Sequence, residues 1–321
     1  MEEKQIRKYL RRCFRPLCWS LVSYFLIADN MVILSMAADA GARALQALAK
    51  GRPILPQDKM LEAISGNAWG YLVAIAVGVI ILLAWKGWDF FREEIFAKGR
   101  RMRLGTFCAI TCIFLGAQYF ASLYMSVLEF LMNCMGLSAM TALEAATSFS
   151  DTFSMFLYAA IAAPIAEELL FRGFIQRSLL PFGQKFSIFG SSVLFGLYHG
   201  NLIQTPYAIL VGLILGYVAV EYSIWWSILL HFINNMVLGY ALPWLLSFLP
   251  GMAADVVTTV LYMALAVMAV VILIVKRREI RGYIRAECMD RRCLRGFFLN
   301  SGFLVFTAMM VFCMLKMVTP L

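Results

Sequence analysis

Two adjacent carboxylates in an apolar run are the residues of this chain whose chemistry stands out most. Glu167 and Glu168 lie within the apolar stretch from Phe153 to Leu180. An ionisable group in the middle of a membrane helix costs at least about 2.5–3.5 kcal/mol, so such groups usually mark a functional site. The only two histidines of the chain, His199 and His231, also fall in apolar runs. Carboxylates and imidazoles together can accept and deliver protons during a reaction.

The local spacing of these residues predicts separate roles. Glu168 and Arg172 are four residues apart with the acid first, which is the favoured order for an ion pair on a helix. Glu167 is rotated by about 100° and has no base four residues on, so we expect it to act as a general base. His231 and Asn235 are also four apart, so both can donate hydrogen bonds to one developing oxyanion.

Each of these residues also has a purely structural interpretation. A Glu–Arg pair in a membrane helix can serve stability alone, and a histidine near a helix end is often an interface residue. Asn234 and Asn235 can bridge neighbouring helices. We expect Asp29, Asn30 and Glu221 to be bridging residues of this kind. The functional interpretation depends on the combination of residues at one depth rather than on any single member.

The composition sets the fold class. The 321 residues are 62% hydrophobic and 15% charged, with a mean hydropathy of +0.79. Soluble domains have about 45–50% apolar and about 25% charged residues. The sequence therefore predicts an all-α, polytopic transmembrane helix bundle of about 8–9 spans. The eight cysteines show neither CxxC spacing nor a zinc-binding pattern, and we expect the net charge of +9 to reflect membrane topology rather than nucleic-acid binding.

Basic residues predict the orientation. Residues 1–15 carry six Lys or Arg at spacings typical of a basic amphipathic helix on an anionic membrane surface, or alternatively of a partner-docking helix. With the N-terminus inside, 23 of the 28 Lys and Arg fall on inner segments, which satisfies the positive-inside rule. The predicted spans are 17–38, 68–85, 105–135, 152–180, 186–200, 207–221, 224–247, 252–275 and 297–318, with a linker at 136–151.

This topology places the polar residues of three different helices at a similar depth. At about 1.5 Å per residue, Glu168, His199 and Asn235 each lie about 18–20 Å from the inner boundary. Chance would seldom align them in this way. The alignment predicts one polar cavity within the membrane.

Three short motifs together resemble those of the CPBP family, which comprises CAAX prenyl endopeptidases and bacteriocin-processing enzymes and is also called the Abi family. The motifs are Glu-Glu-xxx-Arg at 167–172, Phe-xxx-His at 195–199 and His-xxx-Asn at 231–235. The resemblance covers about 150–245. Each motif alone is weak, but their order on successive apolar helices is specific.

The resemblance implies an intramembrane endopeptidase. In it, Glu167 and His199 would activate a water, and His231 and Asn235 would form the oxyanion hole. Arg172 would pair with Glu168. The resemblance implies either a mechanism without a cofactor, which we favour, or a zinc enzyme in which Glu167, His199 and His231 hold the metal. The expected partners are a peptide or protein substrate, such as a leader peptide, a bacteriocin-type peptide or a CAAX-like C-terminus, and membrane lipids.

Two other functions are compatible with the sequence. The chain can be a non-catalytic membrane immunity or scaffold protein that keeps the motifs for structure, or a proton-coupled transporter. Transporters often contain internal repeats, and none is visible here. We predict three sections: accessory helices in 1–150, catalytic helices in 151–250 and C-terminal helices with a basic cytoplasmic loop in 251–321. The expected location is the bacterial cell membrane, with the N-terminus in the cytoplasm.

Overall fold

The computed structural model describes residues 3–140 and 152–321, and this part of the chain is almost entirely helical. The predicted linker 136–151 therefore lies largely outside the described residues. A short antiparallel pairing joins Leu137–Ser138 to Thr319–Pro320. The helices are α1 (Glu3–Ala49), α2 (Gln57–Ser65), α3 (Trp69–Asp89), α4 (Leu104–Asn133), α5 (Phe153–Phe182), α6 (Gln184–Tyr198), α7 (Gln204–Glu221), α8 (Ile224–Leu246), α9 (Gly251–Val275), α10 (Arg277–Arg285), α11 (Arg291–Phe298) and α12 (Ser301–Lys316).

Length and composition make this an integral membrane protein. In the described ranges, seven helices are long and apolar enough to cross a membrane, and the pair α11 and α12, bent by 58°, makes an eighth if it is one span. Helix α6, predicted as a further span, has only 15 residues. At about 1.5 Å per residue it is shorter than the apolar core of a bilayer. The predicted all-α polytopic bundle is confirmed.

The basic N-terminal segment is helical but is not a separate surface helix. It forms the first turns of α1, which continues without a break through Pro16. The apolar face of these turns is covered by protein, because the ring of Phe14 is fully buried and lies 5.5–5.6 Å from those of Phe186 and Phe297. These aromatic contacts hold α1 against α6 and α11.

Helix α5 has an irregular backbone on both sides of the paired carboxylates. Leu157–Ala162 and Leu169–Gln176 are π-helical, with Ala163–Glu168 as α-helix between them. Such π-helical segments are rare and are frequent at functional sites. Pro164 has no N–H, so the carbonyl of Ala159 lacks the backbone donor that the π-helical pattern would give it. A buried carbonyl without a donor requires another partner.

Helices α4 and α9 cross closely at Gly116. A Cβ at this position would lie 2.7 Å from the Leu265 carbonyl oxygen and 2.9 Å from the Cβ of Ala269. We expect Gly116→Ala to lower the free energy of unfolding by about 1–3 kcal/mol, because backbone on the facing helix cannot give way. Gly105→Ala on the same helix is the control, since nothing lies within 4 Å of a Cβ there. Thermal unfolding in detergent checks this, and equal melting temperatures for both variants would contradict it.

Candidate active site

The carboxylate of Glu168 is fully buried and fully paired. One oxygen, Oε1, accepts a hydrogen bond from Arg172 Nη1 at 2.9 Å and faces His231 Nδ1 at 3.0 Å. The other, Oε2, accepts one from the hydroxyl of Ser227. The ion pair of Glu168 with Arg172 is present as predicted from the spacing. Ser227 was missed in the sequence, although it lies one helical turn before His231 on the same face.

Glu167 has a different environment from its neighbour. Its side chain is 22% exposed, whereas that of Glu168 is inaccessible. Its Oε2 atom lies 3.8 Å from Nε2 of His231, which is too long for a direct hydrogen bond. His231 therefore stands between the two carboxylates. The sequence predicted His199 as the partner of Glu167, but the imidazole that faces this carboxylate within 4 Å is that of His231.

The ring of Phe195 is a common neighbour of Arg172, His199 and His231. The guanidinium carbon of Arg172 lies 4.1 Å from the centre of this ring. The imidazoles of His199 and His231 lie 4.9 Å and 5.9 Å from it, and both are nearly perpendicular to it. The two histidines thus share one aromatic neighbour, although they come from different helices. The predicted convergence of α5, α6 and α8 is present, with Phe195 as the common contact.

His199 has one nitrogen held by its own helix. Nδ1 lies 2.9 Å from the carbonyl oxygen of Phe195. A carbonyl only accepts, so Nδ1 carries the proton and donates it to this oxygen. In the neutral ring, Nε2 is then the acceptor. The side chain is partly exposed.

Asn235 donates a hydrogen bond to the Ala159 carbonyl, which lacks a backbone donor because residue 164 is a proline. Its Nδ2 atom donates to the Ala159 oxygen at 3.0 Å. Its Oδ1 accepts a hydrogen bond from Asn234, whose own Oδ1 accepts one from Tyr207. An amide nitrogen has two N–H groups, so Asn235 retains a second donor. The bridging interpretation of Asn234 and Asn235 therefore holds for these contacts, and a further donor function of Asn235 is compatible with it.

Glycines on α7 let long side chains of α5 reach its backbone. Arg172 Nη2 lies 3.4 Å from the carbonyl oxygen of Gly212, and Gln176 Nε2 donates to that of Gly216 at 2.8 Å. A Cβ on Gly216 would lie 3.3 Å from Gln176 Oε1. These two glycines therefore form a close-packing face on α7, which helps to hold Arg172 in place. Gln176, fully buried, was not identified from the sequence.

The three residues predicted to bridge helices differ in what they do. Glu221 connects elements, because it pairs with Arg100 and accepts a hydrogen bond from Gln184. Asn30 makes a local contact instead, since its amide donates to the Leu26 carbonyl of its own helix. Asp29 lines a cavity.

The zinc alternative does not fit the arrangement of side chains. In residues 3–140 and 152–321, no group of three or more His, Cys, Asp or Glu is placed to hold a metal ion. A zinc site needs at least three protein ligands at about 2.0–2.3 Å. Both ring nitrogens of His231 face glutamates, with Nδ1 taken by Glu168. Glu167, His199 and His231 are therefore not arranged as a metal-ligand set.

The fold and this site define a class: a helical membrane protein with a buried acid–imidazole cluster of a kind that can catalyse hydrolysis. A comparison with protein families identifies the family. Residues 149–237 match the model described as Rce1-like, Type II CAAX prenyl endopeptidase Rce1-like. This part of the chain is therefore similar to the CAAX protease family of membrane endopeptidases, in agreement with the three motifs. Comparisons with curated proteins and with solved structures gave no significant match.

Proposed function

We propose that this protein is an intramembrane endopeptidase that hydrolyses a peptide bond with a water activated by Glu167. The observation that carries the proposal is the unequal pairing of the two glutamates. Glu168 is buried and occupied by Arg172, Ser227 and His231. Glu167 is partly accessible and has no basic partner within hydrogen-bonding distance. Such a pair has one carboxylate for structure and one for proton transfer.

The remaining groups supply what the other steps need. Glu167 takes a proton from water with the help of His199, and the hydroxide attacks the amide carbonyl. The carbonyl oxygen becomes negative and is stabilised by N–H groups of His231 and Asn235. The proton then passes to the leaving amine, and the C–N bond breaks.

Charge balance supports the oxyanion role of His231. With Nδ1 donating to Glu168, Nε2 becomes a donor only when the imidazole is protonated. The two glutamates, Arg172 and a protonated His231 together carry no net charge. A neutral cluster is far less costly in a membrane than an unbalanced one.

Loss of the Asn235 amide is expected to slow the chemical step. We expect Asn235→Ala to lower kcat about 10²–10³-fold with little change in KM, because an oxyanion-hole donor acts mainly in the transition state. The control is Asn30→Ala, which removes an amide that also donates to a backbone carbonyl but lies on α1. A raised KM with unchanged kcat would assign Asn235 to substrate binding instead.

The substrate and setting are part of the proposal. We propose a leader peptide, a bacteriocin-type peptide or a CAAX-like C-terminus as substrate, and no metal or organic cofactor. The basic residues of α10 and α11 are mostly exposed. They support a location of these two helices on the inner side of the membrane, with the N-terminus on the same side. We propose the bacterial cell membrane as the location.

A cleavage assay tests this function. The purified chain in lipid nanodiscs is incubated with peptides of the three substrate types, and new termini are identified by mass spectrometry. We expect one type to be cut at a fixed position. Binding without new termini would favour the immunity or scaffold alternative, and proton-driven uptake into proteoliposomes would favour a transporter.

A further inference from the structure

A second polar feature lies beside the candidate active site, in a cavity of about 160 Å³. Four helices contribute one tyrosine each to its wall: Tyr24 from α1, Tyr71 from α3, Tyr158 from α5 and Tyr198 from α6. Asp29, one turn after Tyr24 on α1, adds a carboxylate. The volume suits one amino-acid side chain or a few waters.

The polar atoms of this cavity are unpartnered. Among residues 3–140 and 152–321, neither the four phenol hydroxyls nor the Asp29 carboxylate has a hydrogen-bond or ion-pair partner. Helix α1 is one of the candidate membrane spans, and Asp29 lies inside its apolar run. Asp29 is exposed beside the cavity, and an unpaired carboxylate within a membrane span is costly, so a cationic partner would stabilise it.

The packing around the cavity keeps these aromatic faces in place. A Cβ on Gly78 of α3 would lie 2.6 Å from Tyr24 Oη, so the glycine makes room for this ring. The rings of Tyr71 and Tyr158 lie 4.8 Å apart with a tilt of 35°. The ring of Phe171 lies 5.2 Å from that of Tyr198. The wall is therefore built by packed side chains from several helices.

The cavity lies within electrostatic range of the group proposed to activate water, although Glu167 is not one of its lining residues. The carboxylate of Glu167 is close enough to act electrostatically on the phenols of Tyr24, Tyr158 and Tyr198. Tyr198 also directly precedes His199 in the chain. None of these tyrosines has a part in the hydrolysis described above. A side chain in this cavity would thus belong to a residue bound next to Glu167.

We propose that this cavity is a specificity subsite that binds the cationic side chain of a Lys or Arg near the scissile bond. The inference rests on the proposed function. Tyrosine ring faces attract cations, and a carboxylate beside them adds a full opposite charge. A bound cation would form an ion pair with Asp29, and its N–H groups would donate hydrogen bonds to the phenol oxygens. Helices α1 and α3, which lie outside the matched range 149–237, would thereby determine which peptide is cut.

The test compares cleavage of two peptide libraries that differ only in whether their lysine side chains carry a positive charge. The protein in nanodiscs is given a proteome-derived library, with its lysine amines either free or acetylated. We expect the free library to be cut about tenfold faster at sites with Lys or Arg in one fixed position than at sites without them. Acetylation should abolish the Lys preference and leave that for Arg. Asp29→Asn should remove both preferences.

The matched control is Asp39→Asn. Asp39 is an acid of the same helix that pairs with Arg43 and lies outside the cavity, so both preferences should remain. Cleavage by the wild-type chain with no preference for a basic residue, or a preference unchanged in Asp29→Asn, would overturn the subsite while leaving the proposed function intact.

A binding measurement separates the two proposals. A lysine-containing peptide is added to the membrane-embedded protein with an apolar carbodiimide, which joins an amine to a carboxylate in contact with it. We expect a cross-link at Asp29 that the acetylated peptide does not form. A cross-link at Asp29 without any cleavage supports the cation site and contradicts the proposed function. Absence of both cleavage and cross-link would overturn both.

Discussion

Glu168→Ala is expected to lower the free energy of unfolding by about 3–5 kcal/mol, because it leaves the guanidinium of Arg172 buried without its counter-ion. Arg172 is 1% exposed, and it also contacts the Gly212 carbonyl and the face of Phe195. Neither supplies a negative charge. Thermal unfolding of the purified protein in one detergent, or resistance to a protease, measures the loss.

An exposed pair with the same spacing provides the control. Glu3 and Arg7 are also four residues apart with the acid first, but their side chains are 70% and 67% exposed. Glu3→Ala should leave the melting temperature almost unchanged, because an exposed ion pair contributes little to stability. The double variant Glu168→Ala, Arg172→Ala should cost less than the two single variants together, since no charge is then left unpaired. Strict additivity would show that the two residues act independently.

Glu167→Gln is expected to lower kcat for peptide cleavage by about 10²–10⁴-fold, because an amide cannot accept the proton of the attacking water. The substitution keeps the shape of the side chain. Glu167 makes no direct hydrogen bond to a neighbouring charged group, so stability should change little. The rate measured at saturating peptide, together with the melting temperature, checks both parts.

The contrast between the neighbouring glutamates makes this result specific. Glu168→Gln should lower stability as well as activity, whereas Glu167→Gln should lower activity alone. Glu129→Gln is a further control. Glu129 lies on α4 and accepts hydrogen bonds from the Ser138 hydroxyl and the Ala139 N–H in the turn that follows this helix. Its substitution should therefore leave the cleavage rate unchanged. A stable Glu167→Gln protein that cleaves at the wild-type rate would remove Glu167 from the mechanism.

Much of the fold and the site was accessible from the sequence because membrane proteins obey strong local rules. Apolar runs of sufficient length predicted the seven long apolar helices of the described ranges, although they also predicted a span at α6, which is too short. The i,i+4 spacing predicted the contact between Glu168 and Arg172. The similar predicted depths of their polar residues in the membrane indicated that α5, α6 and α8 lie next to one another. Each of these inferences depends only on helix geometry and on the cost of charge in lipid.

Other features depend on the mutual placement of helices and had no local signal. Spacing along one helix does not show that His231 of α8 lies between two carboxylates of α5. The π-helical segments were equally hidden, although Pro164 indicates that a carbonyl near Ala159 needs another donor. The basic segment is part of the first helix rather than a separate surface helix, and its apolar face packs on protein. Such packing depends on partners distant in the chain.

Oxygen-18 labelling in a single turnover tests most directly that Glu167 activates a water that attacks the peptide bond. Excess protein in nanodiscs cleaves a peptide in labelled water, and the product and the segment containing Glu167 are weighed by mass spectrometry. If Glu167 activates water, the new C-terminal carboxylate will contain one oxygen-18 and Glu167 will contain none. Label in the Glu167 side chain with an unlabelled product would show that this carboxylate itself attacks the carbonyl, and label in neither would exclude hydrolysis.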